Sequence, residues 1–179
     1  MNNLEHQVAK EKLTAASNLL SEQEVDLWLI LTREGSDPVM PLLIGARSVH
    51  EAAIMIFPSG QHTVLCSQSD RGNYASTSLF SDVVVYEKDF QDSLAELLSK
   101  SNPDRLMLNY SETDALSDGL TVGQYLMLEE ILSPEKLTAI ESSSEGVLKQ
   151  LRSLKSPEEL NRVQKAVDIT LEIYAEVFS

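Results

Sequence analysis

Three observations predict a mixed α/β fold here, a sheet of roughly six strands flanked by helices. Short apolar runs rich in strand formers recur from Val25 onward. Two of them flank the turn Pro58-Ser59-Gly60-Gln61, and the later ones alternate with helical stretches. A hairpin is antiparallel, whereas strands joined through helices are most simply parallel, so the sheet is mixed. Runs that are apolar on both faces suit a sheet covered on both sides.

In chain order, Leu4, Val8, Ala9, Leu13, Ala16 and Leu20 mark an amphipathic helix over residues 3–22. Residues 25–31 (VDLWLIL) follow as a strand, apolar apart from Asp26. Residues 32–41 hold Arg33, Glu34, Gly35, Ser36, Asp37 and Pro38, and their prolines and glycine exclude regular structure. Residues 52–57 and 62–66 form the hairpin. Residues 67–81 are polar and weakly patterned, with room for one short helix. Residues 82–86 (DVVVY) read as a strand, and Phe90, Leu94, Leu97 and Leu98 as the inner face of a helix. Asn102-Pro103-Asp104 turns the chain into a strand at 105–110. A helix over 121–132 points Tyr125, Leu128 and Leu132 inward, and 137–141 reads as a short last strand.

The final helix carries the clearest local signals. Ser156 is placed to cap it, Pro157 fits its first position, and Glu158 and Glu159 favour the positive end of its dipole. Glu159 stands three residues after the cap, as a capping box requires. Leu160, Val163, Val167, Leu171, Tyr174 and Phe178 then form an apolar stripe, with no glycine, asparagine or proline to end it. Such a helix is expected to open a second domain.

Net charge of -14 argues against nucleic acid or an anionic membrane as partner. Cys66 is the only cysteine, which excludes an internal disulfide and a thiolate metal cluster. The start, MNNLEHQVAKEK, has no apolar signal core, and no run approaches the roughly 18 residues of a membrane span. A cytoplasmic protein is the expectation.

Chemistry-bearing motifs are few. His6, His50 and His62 stand at no metal-ligand spacing and read as solvated or locally bonded. No Gly-x-Gly, Walker loop or Gly-x-Ser-x-Gly occurs. Cys66 falls in an apolar strand, where a thiol is inert. Glu129-Glu130 and Glu158-Glu159 are adjacent and diverge on a helix, so neither pair shares a proton or metal. Asn109-Tyr110-Ser111 matches a glycosylation triplet that means nothing without export.

One loop is left. Arg33, Glu34 and Asp37 follow the carboxyl end of a strand, the edge where such sheets place ligand contacts. Arg33 there suits a carboxylate. The commoner use of these residues is a solvated charged turn, with Asp37-Pro38 initiating it.

The segment from Val147 to Leu160 (VLKQLRSLKSPEEL) resembles the junction of creatinase, prolidase and Xaa-Pro aminopeptidase proteins. There a leucine-arginine-x-x-lysine-serine/threonine-x-x-glutamate stretch leads from an N-terminal domain into a pita-bread metallopeptidase domain, and Leu151, Arg152, Lys155, Ser156 and Glu159 occupy those places. Asn109-Tyr110-Ser111, Asp118-Gly119-Leu120-Thr121 with Gly123, and Arg33 to Pro38 resemble a bacterial Xaa-Pro peptidase subgroup. Leu42-Leu43-Ile44-Gly45 departs from it, since many relatives carry an aromatic before that glycine.

The resemblance implies a ribonuclease H-like creatinase/prolidase N-terminal domain over residues 1–150. It makes 151–179 a linker and the first helix of a catalytic domain not present here. The family hydrolyses Xaa-proline or related C–N bonds with two divalent ions (manganese, cobalt or zinc), held by two aspartates, a histidine and two glutamates of the catalytic domain. None of those ligands maps onto this chain, so no catalytic or metal residue is expected in it, and no cofactor. Arg33 and Asp37 become substrate-lining candidates. Leu160, Val163, Val167, Leu171, Tyr174 and Phe178 become an interface to the catalytic domain or to a second copy. The implied partners are that domain, a homo-oligomer, and proline-containing peptides as the parent's substrate. A stand-alone binding or regulatory module of the same fold is the alternative.

Overall fold

The computed structural model describes residues 3–45 and 48–178, with side chains from residue 6 onward. Within that span the order is α1 (Asn3–Glu22), β1 (Leu27–Arg33), α2 (Met40–Leu43), β2 (Glu51–Ile56), β3 (Thr63–Cys66), α3 (Arg71–Ala75), β4 (Asp82–Val85), α4 (Phe90–Ser101), β5 (Leu106–Leu108), α5 (Val122–Leu132), α6 (Pro134–Ile140), β6 (Glu141–Ser143), α7 (Glu145–Ser153) and α8 (Pro157–Val177). A 3-10 turn at Ala115–Ser117 precedes α5. The strands form one six-stranded sheet in the order β4-β3-β2-β1-β5-β6. β2 is antiparallel to both neighbours, and the β3–β4, β1–β5 and β5–β6 pairs are parallel. The mixed sheet expected from the hairpin and the crossovers is the one observed.

Alternation along the strands builds two cores. Trp28, Ile30, Ala52, Ile54, Ile56, Val64 and Cys66 face α1, α2 and α7. Leu27, Leu29, Leu31, Ala53, Met55 and Leu65 face α4, α5 and α6. Period-two alternation with both sets apolar is the signature of a sheet sandwiched by helices. The expected face of α1 is realised at Ala9, Leu13, Ala16 and Leu20, all buried, while the side chain of Leu4 lies outside the described residues. Leu128 is buried in the second core, with Tyr125 and Leu132 partly buried against it.

Two boundaries are corrected. β1 starts and ends two residues later than expected, so Thr32 and Arg33 belong to the strand, because they pair with Ala52 and Glu51 across the ladder. The strand expected at 137–141 is instead α6, and β6 follows it. Ser133 accepts the Lys136 N–H and Pro134 takes the first helical position, so capping overrides a short apolar run whose only buried residue is Leu137.

Beyond the first turn of α8 the chain leaves the body. Leu154 is exposed, and α8 begins at the expected capping box, with Ser156 Oγ accepting from Glu159 N–H and Glu159 accepting from Ser156 N–H at 2.7 Å. From Val163 to Phe178 every residue is exposed. α8 thus projects from the domain, and it does not fold back on the sheet. Ser179, the last residue of the expected second segment, lies outside the described residues.

Candidate functional site

Because β1, β5 and β6 are parallel, their carboxyl ends meet at one edge of the sheet. The loops that follow them converge there on Asn109, which is 2% exposed. Its Oδ1 accepts from Trp28 Nε1–H and from Ser144 Oγ–H, each at 2.7 Å. Its Nδ2 donates to both carboxylate oxygens of Asp37 at 2.9 and 3.0 Å, and its carbonyl accepts from Gly119 and Leu120 N–H. One asparagine therefore ties β1, the loop after β1, the loop before α5 and the start of α7 together. A buried polar hub of this kind is stable only when its bonds are all made, and here the side chain makes four.

The two residues expected to line the edge separate in space. Arg33 points outward, its side chain 70% exposed, and its Nη2 meets Glu51 Oε1 at 2.6 Å across the β1–β2 ladder. An exposed cross-strand pair of this kind is screened by solvent and contributes little to stability. Asp37 is 1% exposed. It accepts from Val39 N–H at 2.9 Å as well as from Asn109, and burial raises its carboxyl pKa against those hydrogen bonds. The solvated-turn reading thus fits Glu34 but neither Arg33, which ends β1, nor Asp37, which shapes the loop from inside. Glu34 and Gly35, both at positive φ, turn the chain back so that Ser36 N–H reaches Arg33 C=O at 3.0 Å.

The junction residues each have a local task. Leu151 is buried in the core. The Arg152 guanidinium grips both oxygens of Asp114, which also accepts from Leu116 N–H and Ser117 Oγ–H. Lys155 Nζ donates to Arg152 C=O, and Ser156 and Glu159 form the capping box. Alongside, Ser111 and Thr113 hydroxyls donate to Glu145, which pairs with Lys149. The loop 111–118 is therefore laced to α7. Sequence reading missed Asp114, Asn109 and Lys12 as members of this region, and a capping aspartate or a buried lysine carries no local signal of its distant partner.

The Arg152 guanidinium holds the Asp114 carboxyl down at about 2, below the 3.8 of an unfolded aspartate. A depressed carboxyl contributes stability that is complete above the unfolded value and is lost as pH falls through the folded one. Arg152→Met is therefore expected to flatten the acid limb between 3.8 and about 2 in urea midpoints taken against pH. Parallel curves for parent and variant would show that the pair stabilises nothing.

Among the described residues, His50, His62 and Cys66 sit in structural settings. His50 Nδ1 lies 3.3 Å from Ser67 Oγ and 3.4 Å from Asp70 Oδ2. A serine–histidine–aspartate relay needs the carboxylate and the hydroxyl on opposite ring nitrogens, so this cluster is a clamp on the loop before β2. His62 is buried, accepts from Phe57 N–H, and is lowered to about 4 by burial. Burial pushes the Cys66 thiol up to about 11, which makes it the inert thiol expected. Among the described residues no three His, Cys, Asp or Glu side chains are grouped to hold a metal, so the two divalent ions implied by the junction have no seat among them.

No family model and no curated protein matches the sequence. Solved structures do match the fold. The creatinase/prolidase N-terminal domain of an X-Pro dipeptidase from Streptococcus pyogenes aligns with 78% of this chain and 97% of its own, at 12% identity and a TM-score of 0.57. The fold is that of a creatinase/prolidase N-terminal domain. An X-Pro aminopeptidase from Thermotoga maritima MSB8 aligns with 98% of this chain at 16% identity and a TM-score of 0.61, and an Xaa-Pro dipeptidase from Bacillus anthracis with 86% at 17% and 0.56. This chain spans only 43% and 38% of those two proteins. No helix of the described residues is long and apolar enough to cross a membrane.

Proposed function

We propose that this chain is the non-catalytic N-terminal domain of a metal-dependent Xaa-Pro aminopeptidase or dipeptidase. It contributes to dimerisation and restricts access to an active site carried by a C-terminal catalytic domain. The observation that carries the reading is a difference in coverage. The isolated S. pyogenes domain matches about four fifths of this chain, while the longer aminopeptidase matches nearly all of it. α8, projecting with its apolar side chains exposed, is the stretch a catalytic domain would cover. In such an enzyme the two divalent ions and the proline-containing substrate belong to the catalytic domain. This domain supplies the exposed Arg33 at the mouth of that site, its own or a partner subunit's, in a cytoplasmic protein.

The natural coding sequence, read past Ser179, is expected to supply two aspartates, a histidine and two glutamates as ligands. The full product is expected to hydrolyse Xaa-Pro peptides with manganese, cobalt or zinc, and residues 1–179 alone to be inactive under the same assay. In the full product Arg33→Ala should raise KM with thermal stability unchanged, since its ion pair is exposed. A reading frame that closes without those ligands, or turnover by residues 1–179 above a tag-only control, would overturn the proposal. The first result would leave a stand-alone module of the same fold.

A further inference from the structure

α8 is exposed from Val163 onward, so its direction depends on how its first turn is held. What fixes that direction comes from α1. Lys12, 2% exposed, donates to Leu151 C=O at 2.6 Å and to Leu154 C=O at 2.7 Å, two carbonyls at the end of α7. Its ammonium also stands 2.7 Å from Glu159 Oε2, inside the capping box of α8. Three contacts occupy the three ammonium hydrogens. The neighbouring Glu11 accepts the Glu158 N–H, one of the free amides at the start of α8, at 3.2 Å. Consecutive residues of α1 thus set a cation on the negative end of α7 and a carboxylate on the positive end of α8, each the sign that helix end attracts. Glu159 titrates below the ordinary carboxylate range; desolvation pushes it up, but the bonds from Lys12 and the Ser156 N–H outweigh this.

We propose that Lys12 is a positioning residue, the pin of a joint that sets the angle at which α8 leaves the domain. Without the pin, the Glu11 contact to the Glu158 N–H is left to hold the connector at 154–156, where Leu154 is 68% exposed. The joint therefore determines where any structure attached to α8 stands relative to the edge that carries Arg33. It rests on contacts within this chain, so failure of the peptidase reading would leave it untouched.

Spin labels test the pin directly in residues 1–179. Ser99 and Ala175 are exposed and are replaced by cysteine for labelling, while the native Cys66 is fully buried and stays unlabelled. Labelled chain is diluted with unlabelled chain so that pulsed dipolar spectroscopy reads distances within one molecule. The parent is expected to give one narrow distribution. Lys12→Met keeps the length and apolar stem of the side chain but loses the ammonium, and should at least double the width. Glu159→Gln keeps a side chain able to complete the capping box, so α8 still starts, but removes the charge opposite Lys12. It should broaden the distribution as well. Circular dichroism confirms folding of each variant, and if Lys12→Met does not fold, Glu159→Gln alone decides. A folded variant of either kind with the parent's distribution overturns the proposal.

Discussion

Residues 1–179 are expected to associate into a dimer at micromolar concentration, and residues 1–155 to remain monomeric. Leu160, Val163, Val167, Leu171, Tyr174 and Phe178 are 46–79% exposed along one side of α8. A second row, Ala166, Ile169, Ile173 and Val177, flanks them, so more than half of the helix circumference is apolar. Half-burial of the first six alone contributes roughly 5–9 kcal/mol before the cost of association. A second copy is the simplest cover in solution, because a two-fold axis brings identical stripes together. Light scattering on the two lengths, with Leu171→Lys in the longer chain as a milder disruption, reads the result. A monomeric longer chain, or the same oligomeric state in all three, would remove the stripe as an interface.

Gly119→Ala is expected to cost about 3 kcal/mol, the upper end of what over-packing a filled core produces. A Cβ at position 119 would stand 2.1 Å from Asp37 Oδ2 and 2.4 Å from its Cγ. Asp37 has little freedom to retreat, since Asn109 Nδ2 and Val39 N–H hold its carboxylate. The Gly119 N–H in turn is bonded to Asn109 C=O at 3.0 Å, so the two loops cannot easily part. Urea unfolding measures the loss. Truncation to Asp37→Ala in the same chain should make the pair of substitutions less costly than their sum by more than ~1 kcal/mol, because the clash partner is gone. Stability of Gly119→Ala within about 0.5 kcal/mol of the parent would mean that the carboxylate is not pinned as the geometry shows.

Asp37 also marks the limit of what could be read from the chain. Its place after a strand, beside Arg33, Glu34 and Pro38, is that of a surface loop residue, and nothing local distinguishes it from one. Its burial depends on Asn109, 72 positions away, and on Gly119 leaving room. Asn109 itself stood in a glycosylation triplet and in a segment that carries the family resemblance, and neither tells that its side chain is buried. Lys12 is a similar case: on α1 it follows the polar pattern of a solvated lysine, and only the arrival of the α7 end over that helix buries it.

What the sequence alone determined is what is encoded within a few residues. The capping box at Ser156, the stripe of α8, the hairpin and the doubly apolar strands all rest on neighbours three or four positions apart, or on alternation, and the structure reproduces them. Local encoding also erred where two local signals competed, at 137–141, and there the cap at Ser133 outweighed the apolar run. The tertiary structure decided the rest: which polar residues are withdrawn from water, which carboxylate meets which cation, and the direction of α8. Those depend on groups far apart in the chain whose bonds become favourable only when the fold has already excluded water from between them.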